Sequence, residues 1–590
     1  MNRKRKEIKE EIVGKYISRS MMAYPSDKSI TPLIFHIDTS RIIEDTSIEQ
    51  YDDQTIKCRL CGSFFNPYCQ INDSSINWRC SICNSVNQLP LPPSDSIFTP
   101  YSIAKNLTCY NNAVFDFIPP HLPITNHQKP KIIISIQSCI YNDVKNILFQ
   151  SLKDNDLFSY AFTIFDSSIQ IFNFHLKSWH IISDFSNDNS FFLPTKKEFL
   201  FGNSSELKNA LSTDNNFSSN ENQNIENVFH FVNCFQNAKL LLILKYPILT
   251  SPPSFSFPAS VVFYESTNTF SSMENLLQWS NSISADFFYF KTHYNSQATI
   301  TQNISYSRLI NFLSKSLITP FKTEIKVVFR APKLFEINQE KEDYHLFTVS
   351  RRQSSVAQIL SFAQFEISFK DCMRDEISIF RYINVKIPLS PDPRVFRSAT
   401  FPNPLQHLCV ASRYILSRLR NFIILEHETI LLKLQNQLME ISYQFPLTDS
   451  FWPHFIYQLL NSDFLRDSQN FNKIHSILFK YKNMPPQICL LHFLPFQFVN
   501  DKLIPLFPKE NKEAVARVTE NVIFVAKNND TASIAQKICT LLDIDDLKLP
   551  VVEVESFEEA KDEETLFDRW KHNFELSRYN YMERKKKKSK

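Results

Sequence analysis

The chain has 590 residues, a formal net charge of +3, 43% hydrophobic residues and 21% charged residues, so it is not disordered as a whole. A net charge this small disfavours bulk nucleic-acid binding, and the length predicts about three to five structural units. The only glycines are Gly14, Gly62 and Gly202, which excludes the glycine-rich loops of common nucleotide-binding folds and the GxSxG elbow of hydrolases.

Both ends of the chain carry short basic runs, Arg3–Lys6 and Arg584–Lys588. Such runs are either solvated termini or an electrostatic hold on an anionic membrane, worth about 1 kcal/mol per basic residue. The N-terminal segment lacks the apolar region of a secretory signal, and no run of about 18 apolar residues occurs. We therefore expect a cytosolic protein whose cysteines stay reduced.

The first motif along the chain is a pair of CxxC sequences. Cys58 and Cys61 are followed, after eighteen residues, by Cys80 and Cys83. This spacing is typical of a four-cysteine zinc ribbon, in which the thiolates surround Zn²⁺ tetrahedrally. A site closed by four protein ligands is structural rather than catalytic, so the sequence predicts one structural Zn²⁺.

Residues next to the cysteines support this prediction. Gly62 and Asn84 each follow a CxxC, where a tight turn favours residues that adopt a left-handed backbone. Four thiolates on Zn²⁺ carry a net charge of about −2. We expect the neighbouring cations Lys57, Arg59 and Arg79 to offset it.

The segment of about 125–325 alternates predicted strands and helices, which favours an α/β layer domain. Its polar, Asn- and Ser-rich stretch Ser204–Asn227 predicts a flexible surface insertion. The predicted elements are strands at Lys131–Ile136, Leu240–Leu244 and Ser260–Tyr264, a hairpin of Tyr160–Phe165 with Ile169–Phe174, and helices at Asp143–Leu152 and Glu274–Ser282.

Beyond this segment the pattern changes twice. Alternating apolar residues in Phe365–Phe369 and Tyr382–Ile387 predict a β-sandwich piece. Helical spacing follows, as in Ile423–Ile441, and then a mixed region with predicted strands at Ile488–Leu494 and Asn521–Ala526.

The ribbon motif resembles that of a known family. Cys58-Arg-Leu-Cys61, Phe65-Asn-Pro67, Trp78-Arg-Cys-Ser-Ile-Cys83 and Asn87 are similar to the zinc ribbon of the Sec subunits of the COPII vesicle coat. That family has two paralogous types, a cargo-binding adaptor and a partner that stimulates the coat GTPase.

Further stretches resemble the adaptor type, and the resemblance covers about 15–400 and weakens over the C-terminal third. These stretches are Met22–Pro25, Pro32-Leu33, Asn112–Pro119, Phe165–Asn173, Ile182–Asp184, Leu193-Pro194, Val395–Ala399 and, loosely, Val522–Val525. Two departures stand out. We expect the chain to lack the long N-terminal extension usual in the adaptor. Ser135–Ser138 stands in place of the Asp-x-Ser metal motif of the trunk, so no trunk metal is expected.

The resemblance implies a multi-domain α+β fold. Its parts would be an N-terminal β-sandwich segment at 1–50, the zinc ribbon at 51–100, a von Willebrand A-like trunk at 125–325, a second β-sandwich segment at 326–392, a helical domain at 393–484, a divergent gelsolin-like domain at 485–580 and a basic tail at 581–590.

The resemblance also implies a function. The chain would be a COPII coat component, not an enzyme, that binds sorting signals in the cytosolic tails of membrane cargo and pairs with its paralogous subunit. It would also contact the coat small GTPase and sit peripherally on the endoplasmic reticulum membrane and on COPII vesicles.

Two alternatives stay open at this point. Asn66–Gln70 looks closer to the GTPase-activating paralogue, although no C-terminal arginine can be assigned to the GTPase site. Alternatively, Trp78 with Arg59 and Arg79 would form a stacking and phosphate-binding patch for nucleic acid. We expect instead that Trp78 packs beneath the zinc turns and that no nucleic acid binds.

Overall fold

The structure is a computed structural model. The chain divides into two compact units. The first comprises Met1–Ile42, Ala331–Ala363 and Val385–Lys590, and the second comprises Ile43–Arg330 and Gln364–Asn384. The residues that the structure describes are 17–19, 33–37, 45, 47–52, 55–72, 76–90, 104, 107–119, 129–154, 157–182, 195–213, 225–235, 237–245, 257–265, 276, 279, 283, 285–291, 299–333, 335–340, 343–351, 360–373, 378–388, 409–410, 412–413, 451–462, 486–507, 511, 513–520, 522–527, 529–542, 549–557 and 564–588.

The strands within these residues are β1 (Ile17–Arg19), β2 (Leu33–Ile37), β3 (Gln50–Tyr51), β4 (Gln70–Ile71), β5 (Asn77–Arg79), β6 (Val86–Gln88), β7 (Val114–Phe117), β8 (Lys131–Gln137), β9 (Ser159–Phe165), β10 (Ile169–Asn173), β11 (Ser178–Ile182), β12 (Ala238–Leu244), β13 (Ala259–Glu265), β14 (Asp286–Lys291), β15 (Lys322–Arg330), β16 (Phe335–Glu340), β17 (Asp343–Arg351), β18 (Leu360–Asp371), β19 (Ser378–Pro388), β20 (Phe496–Val499), β21 (Lys502–Pro505), β22 (Ala516–Val518), β23 (Ile523–Ala526) and β24 (Val551–Val554).

The α-helices are α1 (Thr108–Asn111), α2 (Tyr141–Ser151), α3 (Ser204–Ser212), α4 (Ile225–Asn233), α5 (Thr299–Ile318), α6 (Phe451–Leu460), α7 (Pro486–Phe493), α8 (Thr531–Leu542) and α9 (Glu564–Lys588). Together with the strands they give a mixed α/β chain. Among the described residues, no helix is long and apolar enough to cross a membrane.

A seven-stranded sheet of order β11-β10-β9-β8-β12-β13-β14 dominates the second unit. Its strands β9, β8, β12, β13 and β14 run parallel, and β9, β10 and β11 continue it as an antiparallel meander. Every residue of β12 is buried, as expected for a parallel strand covered on both faces. The predicted strands of this region and the predicted hairpin are confirmed.

Helices α2, α3 and α5 contribute buried apolar residues to the core of this sheet, and α2 confirms the helix predicted at Asp143–Leu152. The prediction of a flexible insertion at Ser204–Asn227 is wrong for its first part, which forms α3, and for its last three residues, which begin α4, while residues 214–224 lie outside the described residues. The side chain of Asn203 accepts a hydrogen bond from the Glu206 N–H at 2.8 Å, and the Glu206 carboxylate accepts one from the Asn203 N–H at 2.8 Å. This capping box precedes a buried apolar stripe that includes Leu207 and Leu211, a combination that favours a helix despite the polar composition.

The second unit also contains the two sheets on which the candidate site rests. One has five strands in the order β15-β18-β19-β7-β3, and the other has three short strands in the order β4-β5-β6. The strands predicted at Phe365–Phe369 and Tyr382–Ile387 lie within β18 and β19, so both are confirmed.

The first unit contains a four-stranded sheet of order β1-β2-β17-β16 and a five-stranded sheet of order β21-β20-β22-β23-β24. Residues of α6, α7 and α8 pack with the latter in one apolar core. The strand predicted at Asn521–Ala526 is confirmed in part by β23, whereas the strand predicted at Ile488–Leu494 is wrong because this segment lies in and just after α7. A short apolar run fits a buried helix as well as a buried strand, and Pro486 at the first helical position favours the helix.

Several sequence predictions fall outside the described residues. They include the helix at Ile423–Ile441, most of the proposed helical domain and of the helix at Glu274–Ser282, the basic run Arg3–Lys6, and the family-like stretches Met22–Pro25 and Val395–Ala399.

Candidate metal centre

A tight turn presents the first two cysteines. The Gly62 N–H donates to the Cys58 carbonyl at 2.9 Å, and the Cys58 N–H donates to the Ser63 carbonyl at 2.8 Å. These two hydrogen bonds bend the chain so that the Sγ atoms of Cys58 and Cys61 point into one space.

The second turn repeats the first. The Asn84 N–H donates to the Cys80 carbonyl at 3.0 Å, and the Cys80 N–H donates to the Ser85 carbonyl at 2.9 Å. Gly62 has φ of 70° and Asn84 has φ of 61°, which confirms the left-handed backbone predicted after each CxxC.

The two turns bring all four thiols together. The Sγ atoms of Cys58, Cys61, Cys80 and Cys83 lie within 4.8 Å of one another. The Cys58–Cys83 separation is 3.5 Å and the Cys61–Cys80 separation is 3.6 Å. A tetrahedron with metal–sulfur bonds of about 2.3 Å has sulfur–sulfur edges of about 3.8 Å, so this donor set fits Zn²⁺ in number, type and spacing.

Two serine hydroxyls contact these thiols, and the sequence analysis did not identify them. Ser63 Oγ lies 3.2 Å from the Sγ atoms of both Cys61 and Cys80. Ser85 Oγ lies 2.9 Å from the Sγ of Cys58 and 3.1 Å from that of Cys83. The signal that could have revealed them is the repeated pattern C-x-x-C-[GN]-S.

The side chain of Asn87 joins the two turns. Its amide nitrogen donates to Cys58 Sγ at 3.6 Å, and its Oδ1 accepts from the Arg59 N–H at 3.0 Å. Asn87 is buried, so its side-chain dipole acts on the sulfur without competition from bulk water. This contact gives a physical role to the asparagine that follows the second CxxC.

The thiols differ in acidity. The hydrogen bond with Cys80 lowers the pKa of the Cys61 thiol to about 4, and the same contact raises the pKa of Cys80. Cys69 lies between the turns in sequence but outside the four-thiol group, and burial raises its pKa to about 11. A fully buried thiol of this kind stays protonated, which agrees with the predicted role of Cys69 as a packed residue.

Aromatic side chains support the ribbon from below. The Trp78 side chain is 1% exposed and meets the Phe65 ring edge to face at a centroid distance of 5.0 Å. Phe65 in turn stacks on Tyr110 at 5.3 Å. Because Trp78 is enclosed, it cannot stack on a nucleic-acid base, and the nucleic-acid interpretation loses its central residue.

The contacts of the described residues do not show the predicted offset of the thiolate charge by Lys57, Arg59 and Arg79. Lys57 Nζ lies 3.7 Å from the Glu366 carboxylate, while Arg59 and Arg79 are exposed. Arg330, which sequence reasoning missed, pairs with the same carboxylate at 2.8 Å. Its Nε would lie 3.5 Å from a Cβ placed on Gly62, so this guanidinium reaches the first zinc turn.

Comparison with known proteins agrees with this geometry. Residues 56–91 match the family described as the Sec23/Sec24 zinc finger. That match and the four-cysteine cluster give the chain one structural zinc.

Curated relatives align over limited segments. "Protein transport protein SEC24-1" of Candida glabrata is 31% identical over 97 residues, which are 16% of this chain and 11% of that protein. "Protein transport protein sec24" of Aspergillus clavatus is 26% identical over 140 residues, covering 22% of this chain and 15% of that protein. The aligned parts thus span far less than two thirds of these relatives.

The fold is similar over almost the whole chain. The human COPII-coat protein Sec24c superposes with a TM-score of 0.63 and 12% sequence identity, covering 94% of this chain and 90% of that chain. The chain therefore carries a Sec23/Sec24 zinc finger at residues 56–91, aligns over limited segments with Sec24 proteins, and has a fold similar to that of Sec24c.

Proposed function

We propose that the chain is a component of the COPII coat that binds cargo sorting signals and has no enzymatic activity. The observation that carries the proposal is a Sec23/Sec24 zinc finger within a fold that resembles the COPII-coat protein Sec24c over 94% of this chain. The curated relatives are described as protein transport proteins and carry the name SEC24, which supports a transport role of the Sec24 type. The mechanism is then the binding of cargo sorting signals by pockets on a rigid multi-domain scaffold, with no bond made or broken.

The proposed partners follow from this role. The chain pairs with a paralogous coat subunit that carries a similar zinc ribbon, and together they meet the coat small GTPase. It contacts the endoplasmic reticulum membrane peripherally and binds the cytosolic tails of membrane cargo.

The zinc ligands in this proposal are Cys58, Cys61, Cys80 and Cys83. Their Sγ atoms are the only group of metal-binding side chains found among the described residues. When bound, Zn²⁺ supplies a cross-link between two turns and no reactive position. The surrounding side chains hold the thiols in place: the hydroxyls of Ser63 and Ser85, the amide of Asn87 and the ring of Trp78.

We also propose the domain division given above for the Sec24-type fold. The seven-stranded sheet of the second unit supports a von Willebrand A-like trunk at 125–325. The sheet of β20–β24 with α8 and α9 supports a gelsolin-like domain at 485–580, and the sheets containing β1, β2 and β15–β19 support β-sandwich segments at 1–50 and 326–392. The helical domain at 393–484 rests on family resemblance.

Affinity purification of the tagged full chain from its own cells tests the function. Bound proteins are identified by mass spectrometry, with an unrelated tagged cytosolic protein as the control. We expect a stoichiometric partner that carries its own four-cysteine ribbon. Recovery of the chain with no such partner would count against the coat role.

A second measurement separates the adaptor from its paralogue. The purified chain is added to the coat GTPase, and GTP hydrolysis is followed with and without the co-purified partner. We expect no stimulation by the chain alone and stimulation when the partner is present. Stimulation by the chain alone would identify it as the GTPase-activating type.

Zinc analysis of single cysteine variants tests the ligand set. The variant Cys58→Ser should lose most of the one zinc per chain, whereas Cys69→Ser, a buried cysteine outside the cluster, should retain it. Equal zinc content in both variants would overturn the proposed ligands.

A further inference from the structure

We propose that Ser63 and Ser85 are a matched pair of hydrogen-bond donors to the zinc-bound thiolates and that they set the affinity of the ribbon for zinc. This inference rests on the ligand set proposed above. It assigns a role to two side chains that contact the site without binding the metal.

The geometry of the pair is nearly two-fold symmetric. Ser63 contacts the second cysteine of its own turn, Cys61, and the first cysteine of the other turn, Cys80, both at 3.2 Å. Ser85 likewise contacts the second cysteine of its own turn, Cys83, at 3.1 Å and the first cysteine of the other turn, Cys58, at 2.9 Å. Each hydroxyl therefore lies between one sulfur of each turn. Because a hydroxyl has one proton, it donates to one of its two thiolates at a time, so the two serines supply two hydrogen bonds to the four sulfurs.

The charge of the centre gives these contacts their effect. Zn²⁺ with four thiolates has a net charge of about −2, and a thiolate can only accept hydrogen bonds. A hydroxyl that donates to a buried thiolate withdraws charge from the sulfur and stabilises the metal-bound state more than the protonated, metal-free thiol.

The two positions differ in access to water. Ser63 is fully buried, whereas Ser85 is half-buried. Water can replace a lost hydroxyl at position 85 but not at position 63. The substitution Ser63→Ala should therefore weaken zinc binding more than Ser85→Ala does.

Ser81 provides a matched control within the second turn. Its hydroxyl exchanges hydrogen bonds with the Asn66 side chain at 3.1 and 3.3 Å, and the Cys69 thiol donates to it at 3.9 Å. Ser81 lies beside Cys80 in sequence, yet its hydroxyl has no contact with a proposed zinc ligand in these hydrogen bonds. Removal of this hydroxyl should leave zinc affinity close to that of the unchanged protein.

Zinc affinity of the full chain is measured by competition with a chromophoric chelator. Loss of a side chain that supports metal ligands typically weakens metal binding 10- to 100-fold, and we expect Ser63→Ala to fall in this range. Ser85→Ala should have a smaller effect, Ser85→Thr should restore affinity, and Ser81→Ala should change it by less than about threefold.

Cobalt substitution gives a second readout that only an assembled site can produce. Loss of a hydrogen bond raises the energy of the sulfur lone pairs, so the sulfur-to-cobalt charge-transfer band of Ser63→Ala should move to longer wavelength. An unshifted band together with unchanged zinc affinity in both alanine variants would overturn the inference. Retention of zinc by Cys58→Ser would instead overturn the ligand set on which it rests.

Discussion

The side-chain amide of Gln364 bonds both the N–H and the carbonyl of Phe64. Its Oε1 accepts from the Phe64 N–H at 2.6 Å, and its Nε2 donates to the Phe64 carbonyl at 3.0 Å. The same Nε2 donates to Asn384 Oδ1 at 2.7 Å, and Asn384 Nδ2 donates to the Ala113 carbonyl at 3.0 Å. This buried polar chain attaches the zinc ribbon to the five-stranded sheet of the second unit.

Replacement of Gln364 by glutamate should loosen this attachment. A carboxylate keeps the shape but cannot donate, so Asn384 Oδ1 loses its donor and the Phe64 carbonyl keeps only the Asn66 amide, at 3.1 Å. The expected cost is about 1–3 kcal/mol. We expect hydrogen exchange at the Phe64 amide to accelerate by about 5- to 150-fold. Exchange at the amides of β12, in the separate seven-stranded sheet, serves as the internal control and should not change. Equal acceleration in both places would indicate a general loss of stability instead.

The buried pair of Arg381 and Asp116 should be far more important than an exposed pair. The guanidinium donates to both carboxylate oxygens, at 2.6 and 2.7 Å, and Nη2 also donates to the Asp45 carbonyl at 3.1 Å. Replacing Asp116 by alanine strands a buried charge, at a cost of about 3–5 kcal/mol. Hydrogen exchange along β7 should rise more than a hundredfold.

The control for that prediction is Glu555→Ala. Glu555 pairs with Lys527 at 3.2 Å, and both side chains are mostly exposed, so the expected cost is below about 1 kcal/mol. A comparable loss of stability in the two variants would show that the burial of the Arg381 pair has no special effect.

Gly62 and Asn84 both have positive φ, so adding a Cβ at position 62 should destabilise the turn, whereas removing the Cβ at position 84 should not. Gly62→Ala introduces a Cβ into a left-handed backbone and costs about 1–2 kcal/mol, although the Cβ itself meets Arg330 only at an ordinary 3.5 Å. Asn84→Gly removes a Cβ from the same conformation and should cost little. Chelator-induced loss of zinc, followed over time, should be faster in Gly62→Ala than in Asn84→Gly. The reverse order would contradict the backbone argument.

The buried thiol of Cys69 predicts a loss of stability at alkaline pH. Burial raises its pKa from about 9 to about 11, so the folded protein keeps a proton that the unfolded chain releases. The contribution is complete below about pH 9 and is lost as the pH rises toward 11. In urea denaturation, the stability difference between the unchanged protein and Cys69→Ala should shrink between pH 8 and 10.5. A constant difference would show that the thiol does not titrate as described.

The sequence predicts the clustering of the four thiols because the determinants of the two turns are local. Two CxxC motifs, each followed by a residue tolerant of positive φ, define the turns over a few residues. The serines that bridge the thiols follow the same local pattern, and only its repetition reveals them. Arg330 and Gln364, in contrast, reach the ribbon from distant strands, and no periodicity places them there.

The two wrong predictions about the fold also have physical causes. Ser204–Ser212 has the composition of a loop, yet the Asn203–Glu206 capping box and a buried stripe stabilise a helix. Ile488–Leu494 is apolar at almost every position, so its pattern has no period to distinguish a helix from a strand. In both segments, packing against the surrounding structure determines the secondary structure that local composition does not specify.

The contact between Phe64 and Gln364 also orders events during synthesis. The two residues are 300 positions apart, so at 5–20 residues per second the ribbon leaves the ribosome about 15–60 s before its anchor is made. The zinc turns are complete by residue 85 and need no distant partner to close. The Phe64 ring, which is fully buried in the folded protein, meets its early neighbours Tyr51 and Phe115 long before Tyr382 is made. For tens of seconds the nascent chain therefore holds a metal site that can already close, while the Phe64 backbone lacks the Gln364 amide.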